Sequence, residues 1–300
     1  MEIRVLRYFL EVAREGNITR AAARLHLTQP TLSRQLKALE EELGKKLFVR
    51  GSFNIRLTDE GRLLRERAED ILGMVDRTCA EFKAFDDVTG GDLYIGCAES
   101  FGIRYLANAV HSLQKKYPRI RLHLHSGNAE DVTGRLDRGL LEFAIIVREP
   151  DADRYDNLMI PHHDSWGIIM PYEHPLAEKD RISLEDIKGI PLICSHQTMS
   201  ADFRRWFGND FDKLNIVATY NLMFNAVVMV KAGIGCAIGF DHLIETGPNS
   251  GLCTRPLNPP LYSPMHIIWR RHQTFTPVGK LLLETMKRMI HDECHASSFK

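Results

Sequence analysis

The 300-residue sequence predicts a multidomain protein: an N-terminal α domain, one long helix, and a C-terminal α/β domain laid out in two rounds. Three observations carry this. Residues 3–43 hold three short apolar-periodic stretches separated by turn and capping residues. Residues 59–88 hold an apolar stripe at alternating steps of four and three. From residue 92 onward, short apolar strands alternate with helical patterns.

In the first part, Leu6, Phe9, Leu10 and Ala13 form the inward stripe of a helix that Gly16 ends. Asn17 or Thr19 caps a second helix to about Leu25, with Ala21, Ala22 and Leu25 inward. His26-Leu27 is a tight turn. Thr28 caps the third helix, and Pro30 falls in its first turn, where a missing N–H costs nothing. Leu32, Leu36, Leu39 and Leu43 are its buried stripe, and Gly44 its stop. Leu47 to Leu57 alternates around Gly51-Ser52 and Asn54 and reads as a two-stranded wing.

Thr58, followed by Asp59 and Glu60, opens the long helix with acids in its first turn, as the helix dipole prefers. Its Leu64, Ala68, Ile71, Val75, Thr78, Phe82 and Phe85 form a heptad seam. A helix of about 40 Å cannot bury such a stripe within itself. Dense flanking charge favours a dimerisation helix over one packed on its own domain.

Thr89-Gly90-Gly91 reads as a break. Strands follow at Leu93–Cys97, Ile120–His125 and Phe143–Val147, with helices from Ser100 to about Lys116 and from Ala129 to Arg138. The second round has strands near Trp166–Met170, Leu192–Cys194, Ile216–Thr219 and Cys236–Ile238. Pro256, Pro259 and Pro260 read as a stiff linker, Met265–Trp269 as a further strand, and Pro277 opens a closing helix. Such alternation predicts a parallel, doubly wound sheet.

Formal net charge is zero, which by itself argues against a nucleic-acid partner. The distribution reverses that. Residues 1–57 carry 11 Lys and Arg against 6 Asp and Glu, residues 58–88 carry 5 against 9, and the remainder 23 against 24. Only the first segment has the basic footprint of phosphate binding. Six scattered cysteines without a CxxC read as reduced thiols in a cytoplasmic protein. The first sixteen residues lack the apolar core of a signal peptide, and no apolar run reaches the length of a membrane span.

The major groove admits one α-helix, whose exposed N-terminal side chains must present donors and acceptors to base edges. With its leucines inward, the third helix shows Gln29, Thr31, Ser33, Arg34 and Lys37 outward. Arg50 and Arg56 on the wing suit a minor groove or a phosphate. The pattern AAxxLxxTQPTLSRQLKxLEEELGxxLFxR, followed by LTxxG, resembles the LysR-type transcriptional regulators over residues 3–64.

The resemblance implies a winged helix-turn-helix over 1–58, a linker dimerisation helix over 59–88, and an effector-binding domain over 89–300. That last domain would have two Rossmann-like lobes, like the periplasmic binding proteins: lobe I at 92–161 and 265–300, lobe II at 162–264. It also implies a bacterial homotetramer on an interrupted palindromic double-stranded operator, acting with RNA polymerase. By position, Gln29, Pro30, Thr31, Ser33 and Arg34 are expected at bases, Thr28, Lys37 and Thr58 at phosphates, and Arg50 at the wing. Ile18 stands where the family more often has Phe.

In open α/β sheets, ligands bind at the carboxyl ends of strands. Candidate effector contacts are therefore Ser100, Phe101 and Asn128 in the first lobe and Ser195, His196, Gln197 and Asn221 in the second. The family crossings would lie near Leu158–His162 and Pro260–Met265. Its ligands are often small carboxylates, which suit helix N-termini; His196 and Arg104 are candidate positive charges. Gly239-Phe240-Asp241 departs from the family's usual apolar-Pro continuation. Cys194 as a redox thiol, and metal sites at His162-His163-Asp164 or His291…Cys294-His295, are weaker candidates. No catalytic, cofactor or metal motif stands out, so the sequence reads as a ligand-responsive regulator and not an enzyme. A small-molecule receptor with an assembly domain, and an α/β enzyme with a helical appendage, are the alternatives.

Overall fold

The computed structural model describes residues 1–50, 55–84, 90–195, 204 and 206–297, and divides into two compact units, Met1–Lys83 and Ala84–Lys300. The expectations resting on Gly51, Ser52, Asn54, Phe85, Thr89, His196 and Gln197 lie outside the described residues.

The first unit has helices α1 (Ile3–Glu15), α2 (Ile18–Arg24) and α3 (Gln29–Leu43), then the antiparallel wing β1 (Phe48–Arg50) and β2 (Ile55–Leu57), then α4 (Asp59–Ala84). Gly16 and Gly44 end α1 and α3 in the left-handed conformation, at φ of 59° and 65°. Asn17 is the cap of α2: its side chain accepts the Arg20 N–H at 3.0 Å, while Thr19 lies exposed. Phe9, Ala21, Leu32, Leu36, Leu39 and Leu47 are among the side chains buried in its core.

Three details differ from the sequence reading. Leu43 is 39% exposed, because the buried stripe of α3 ends at Leu39. Thr28 makes no side-chain cap; its hydroxyl pairs with that of Thr31 at 2.8 Å. The seam on α4 is divided: Leu64, Ala68 and Leu72, one stripe at steps of four, pack into the unit's own core. Ile71 and Met74 stand 37% and 42% exposed on another face. The cause is the close seat of α4: a Cβ on Gly61 would come within 2.2 Å of the Leu47 carbonyl oxygen.

The second unit has β3 (Gly90–Cys97), α5 (Arg104–Lys116), β4 (Arg119–Ser126), α6 (Ala129–Asp137) and β5 (Phe143–Ile146) in its first lobe. The long strand β6 (Tyr155–Pro171) leads into the second lobe, with β7 (Ile182–Ser183), α7 (Leu184–Ile187), β8 (Leu192–Ser195), β9 (Ile216–Tyr220), α8 (Met223–Lys231), β10 (Cys236–Phe240) and β11 (Leu252–Asn258). Strand β12 (Tyr262–Arg270) returns to the first lobe, and α9 (Pro277–Ser297) packs there against α5 and β3.

Among the described residues the strand order is β4-β3-β5-β12-β6-β10-β8-β9, with β11 on β6 and β7. Each lobe keeps a parallel trio, β4-β3-β5 or β10-β8-β9. The sheet as a whole is mixed and not all-parallel, because β6 and β12 run antiparallel to each other and to the trio each meets. Strand β6 pairs with β12 up to Ser165 and with β10 from Trp166, so one continuous strand serves both lobes.

Gly90 and Gly91 are the start of β3, not a break. They pair with Arg119 and Ile120, and a Cβ on Gly90 would lie 2.5 Å from the Arg119 Cβ. Pro256 is not linker either: it lies in β11 opposite Gly167.

Candidate nucleic-acid interface and ligand cleft

The reading face is built by the inward leucines of α3. Burial of Leu32, Leu36 and Leu39 fixes the helix rotation, leaving Gln29, Pro30, Thr31, Arg34 and Lys37 exposed and Ser33 half-buried. Arg34 makes no hydrogen bond or ion pair among the described residues, so its guanidinium is available for a bidentate contact. Lys37 pairs with Glu41 at 3.4 Å on the exposed helix face, a weak contact that a phosphate can replace. Thr28 is exposed at the helix start.

Thr58 has a structural task. Its hydroxyl donates to the Lys46 carbonyl at 2.7 Å and accepts the Gly61 N–H at 2.9 Å, capping α4. Arg50 ends β1, with its side chain outside the described part, and Arg56 is exposed on β2.

Sequence reasoning missed Glu40. Its carboxylate accepts the N–H groups of Leu47 at 2.8 Å and Phe48 at 3.4 Å and pairs with Lys46 at 2.8 Å. Burial pushes its pKa up, but Lys46 and the two N–H groups more than reverse this and the net shift is downward. The carboxylate therefore ties α3 to the strand that starts the wing.

In the second unit the two lobes face each other across a small cleft lined by Glu99 and Asn128 from the first, and by Trp166, Ser195, Tyr220 and Phe240 among the residues beyond the crossing. The cavity volume is about 30 Å³. Asn128, Ser195 and Asn221 are brought together here as the sequence suggests. Asn128 also caps α6, accepting the Asp131 N–H at 2.8 Å.

Ser100 and Phe101 do not line the cavity. Ser100 is 4% exposed; its hydroxyl donates to Asp164 at 2.6 Å and accepts the Gly102 N–H at 2.9 Å. Phe101 lies 51% exposed beneath the Arg104 guanidinium, 5.1 Å from the ring centre, and its ring lies 6.4 Å from that of His242; neither Phe101 nor Arg104 lines the cavity. His196 and Gln197 fall outside the described residues.

Asp164 is buried, and burial raises its pKa against the opposing pull of Ser100 and His162. His162 meets Asp164 at 3.2 Å, and among the described residues no cluster of three His, Cys, Asp or Glu could hold a metal. Cys194 is buried in the core, without the exposure a redox thiol needs.

The residues that dominate the cleft were missed. Glu99 Oε2 accepts the Met223 N–H at 2.5 Å, joining the first lobe to the first turn of α8. The Tyr220 hydroxyl donates to the Ile238 carbonyl at 2.8 Å, and burial raises its pKa. Trp166 and Phe240 meet edge to face at 4.3 Å. The usable signal for Glu99 was its place at the carboxyl end of β3; an aromatic in a strand reads as core.

Comparison with known proteins agrees with both units. Residues 3–62 match the model of the bacterial regulatory helix-turn-helix protein, lysR family, and residues 86–290 match the LysR substrate binding domain. The chain is 24% identical to the uncharacterized HTH-type transcriptional regulator YvbU of Bacillus subtilis (strain 168), over 98% of this chain and all of that one. It is 26% identical to the HTH-type transcriptional regulator YnfL of Escherichia coli (strain K12), over 93% and 96%. The crystal structure of full-length CbnR complexed with its target DNA superposes with a TM-score of 0.71, at 21% identity, over 96% of this chain and 99% of that one. No helix among the described residues is long and apolar enough to cross a membrane. With a recognition helix, a wing and a two-lobed ligand-binding domain in place, the chain belongs to the LysR family and is a DNA-binding transcriptional regulator.

Proposed function

We propose that the chain binds an interrupted palindromic operator in double-stranded DNA and that a small-molecule effector, held in the cleft between the lobes, changes that binding. The observation that carries the DNA half is the exposed row Gln29, Thr31, Arg34 and Lys37 on a helix whose opposite face is buried. CbnR, a structural relative, has been crystallised with its target DNA, which supports the same use of the fold here. The carboxyl ends of β3, β4 and β8 converge on the cleft, where open α/β sheets take ligands.

The protein works in the cytoplasm, catalyses no reaction and needs no cofactor or metal. It is a homodimer through α4 and assembles further to a homotetramer, with RNA polymerase as its other partner. Ile71 and Met74, exposed along one face of α4, support the dimer contact. A gel shift with the DNA upstream of its own reading frame, titrated over salt, tests the reading. Retardation that weakens as salt rises is expected. No retardation at low salt would overturn it.

A further inference from the structure

We propose that the cleft selects an organic cation, a protonated amine or ammonium, and rejects the small carboxylates common in the family. This rests on the reading of the cleft as the effector site and names the chemical class that the site takes.

The charges around the cavity point one way. Glu99 is the single charged side chain among the described lining residues, none of which is Lys, Arg or His. Arg104 is stacked on Phe101 and Tyr105, 5.1 Å and 5.0 Å from their ring centres. An anionic ligand in the cavity faces Glu99 and meets no cationic side chain among the described lining residues. Like charges brought together in a site partly shielded from water repel each other.

The feature that would otherwise welcome an anion is already in use. Helix α8 presents its first turn to the cleft, with about half a positive charge at that end. Glu99 Oε2 occupies it through the Met223 N–H at 2.5 Å. The chain has thus placed its own carboxylate where a ligand carboxylate would sit. A full negative charge outweighs the helix end, so the net local field favours a cation. The other oxygen, Glu99 Oε1, has no hydrogen-bond partner among the described residues and is left to accept one.

The walls suit the same class. Trp166, Tyr220 and Phe240 supply aromatic surface on the second-lobe side, and Trp166 and Phe240 stand 4.3 Å apart, centre to centre. Aromatic faces attract a desolvated ammonium, Trp most strongly. The cavity of about 30 Å³ takes a water-sized group such as an ammonium head. Ser195 and Asn221 lie at the same cavity as polar groups for orientation.

The test uses the full chain and two probes of matched size and opposite charge, benzylammonium and benzoate, at constant ionic strength, read by thermal unfolding. The expected result is a saturable rise in Tm with benzylammonium and none with benzoate. Glu99→Gln should weaken the cation's apparent affinity about tenfold or more, the effect of losing one charge-assisted contact. Phe240→Leu, which keeps Glu99, should weaken it as well and guards against a folding defect in the first variant. Stabilisation by benzoate alone, weakened by Asn221→Ala, would keep the cleft as the ligand site and overturn the charge class. A benzylammonium effect unchanged in both Glu99→Gln and Phe240→Leu, or no response to either probe, would also overturn it. Operator binding, measured separately, is untouched by any of these outcomes.

Discussion

Glu40 Oε1 accepts the Leu47 N–H at 2.8 Å, and through this bond the recognition helix holds the chain entering the wing. The two residues are seven apart, across the turn that begins at Gly44. Glu40→Ala leaves the Leu47 and Phe48 N–H groups and Lys46 without this partner. It should cost about 1.5–3 kcal/mol, as expected for hydrogen bonds to a charged group, and should weaken operator binding by misplacing the wing. Because the native pKa is lowered, the contribution is present above the unfolded carboxylate's value and fades as pH falls through the native one. Urea unfolding of wild type and variant at several acidic pH values should show the two curves converging downward. Parallel curves would show that Glu40 adds nothing through its charge.

Arg34 stands exposed on the reading face without an intramolecular partner among the described residues. If it reads a base edge, Arg34→Ala should cost about 1–3 kcal/mol on the operator and far less on random DNA. If it holds a phosphate, both losses should be equal and the salt slope should fall by about one. Gel shifts on the two DNAs at several salt concentrations separate these results.

The first unit was largely legible in the sequence because its signals are local. Asn17, Gly16 and Gly44 act within a turn of where they stand, and the leucine period of α3 needs no distant partner. What failed was set by distant packing. Leu43 fits the stripe of α3, yet it stands 39% exposed. Ala68 fits a dimer seam, yet its own domain buries it. Pro256 looks like a linker residue and sits in a strand whose partner, Gly167, is 89 positions away. The cleft shows the same division: Asn128, Ser195 and Asn221 follow from strand ends, while Glu99 gains its meaning from Met223 in the other lobe.

The divided face of α4 makes a dimer test specific. Ile71 and Met74 are exposed, whereas Ala68 is fully buried among the core of its own unit. Ile71→Asp combined with Met74→Asp should lower the sedimenting mass while leaving the helical circular-dichroism signal intact. Ala68→Asp should instead unfold the N-terminal unit, since an unpaired buried charge is expelled at the cost of the fold. An unchanged oligomer in the double variant would remove this face of α4 from the dimer contact.

Two carboxylates in the second unit should respond to pH with opposite signs. Asp186 closes the capping box of α7: Lys179 pairs with it, and the Ser183 N–H and hydroxyl donate to it at 2.9 and 2.7 Å. Lys179 first, then Ser183, hold its pKa down at about 2. Its stabilisation is therefore complete above the unfolded value and is lost as pH falls toward 2. Asp164 is the reverse case. Burial raises its pKa despite the Ser100 hydroxyl at 2.6 Å and His162 at 3.2 Å. The native state then binds this proton more tightly than the unfolded chain, so its contribution is full below the unfolded value and is lost as pH rises through the native one. Asp164→Asn keeps an acceptor for Ser100 and removes the titration. Relative to it, the wild type should lose stability with rising pH; relative to Asp186→Asn, it should gain stability across the acidic range. Urea unfolding of the three proteins over that range reads both signs, and the same sign for the two pairs would show that burial does not govern Asp164.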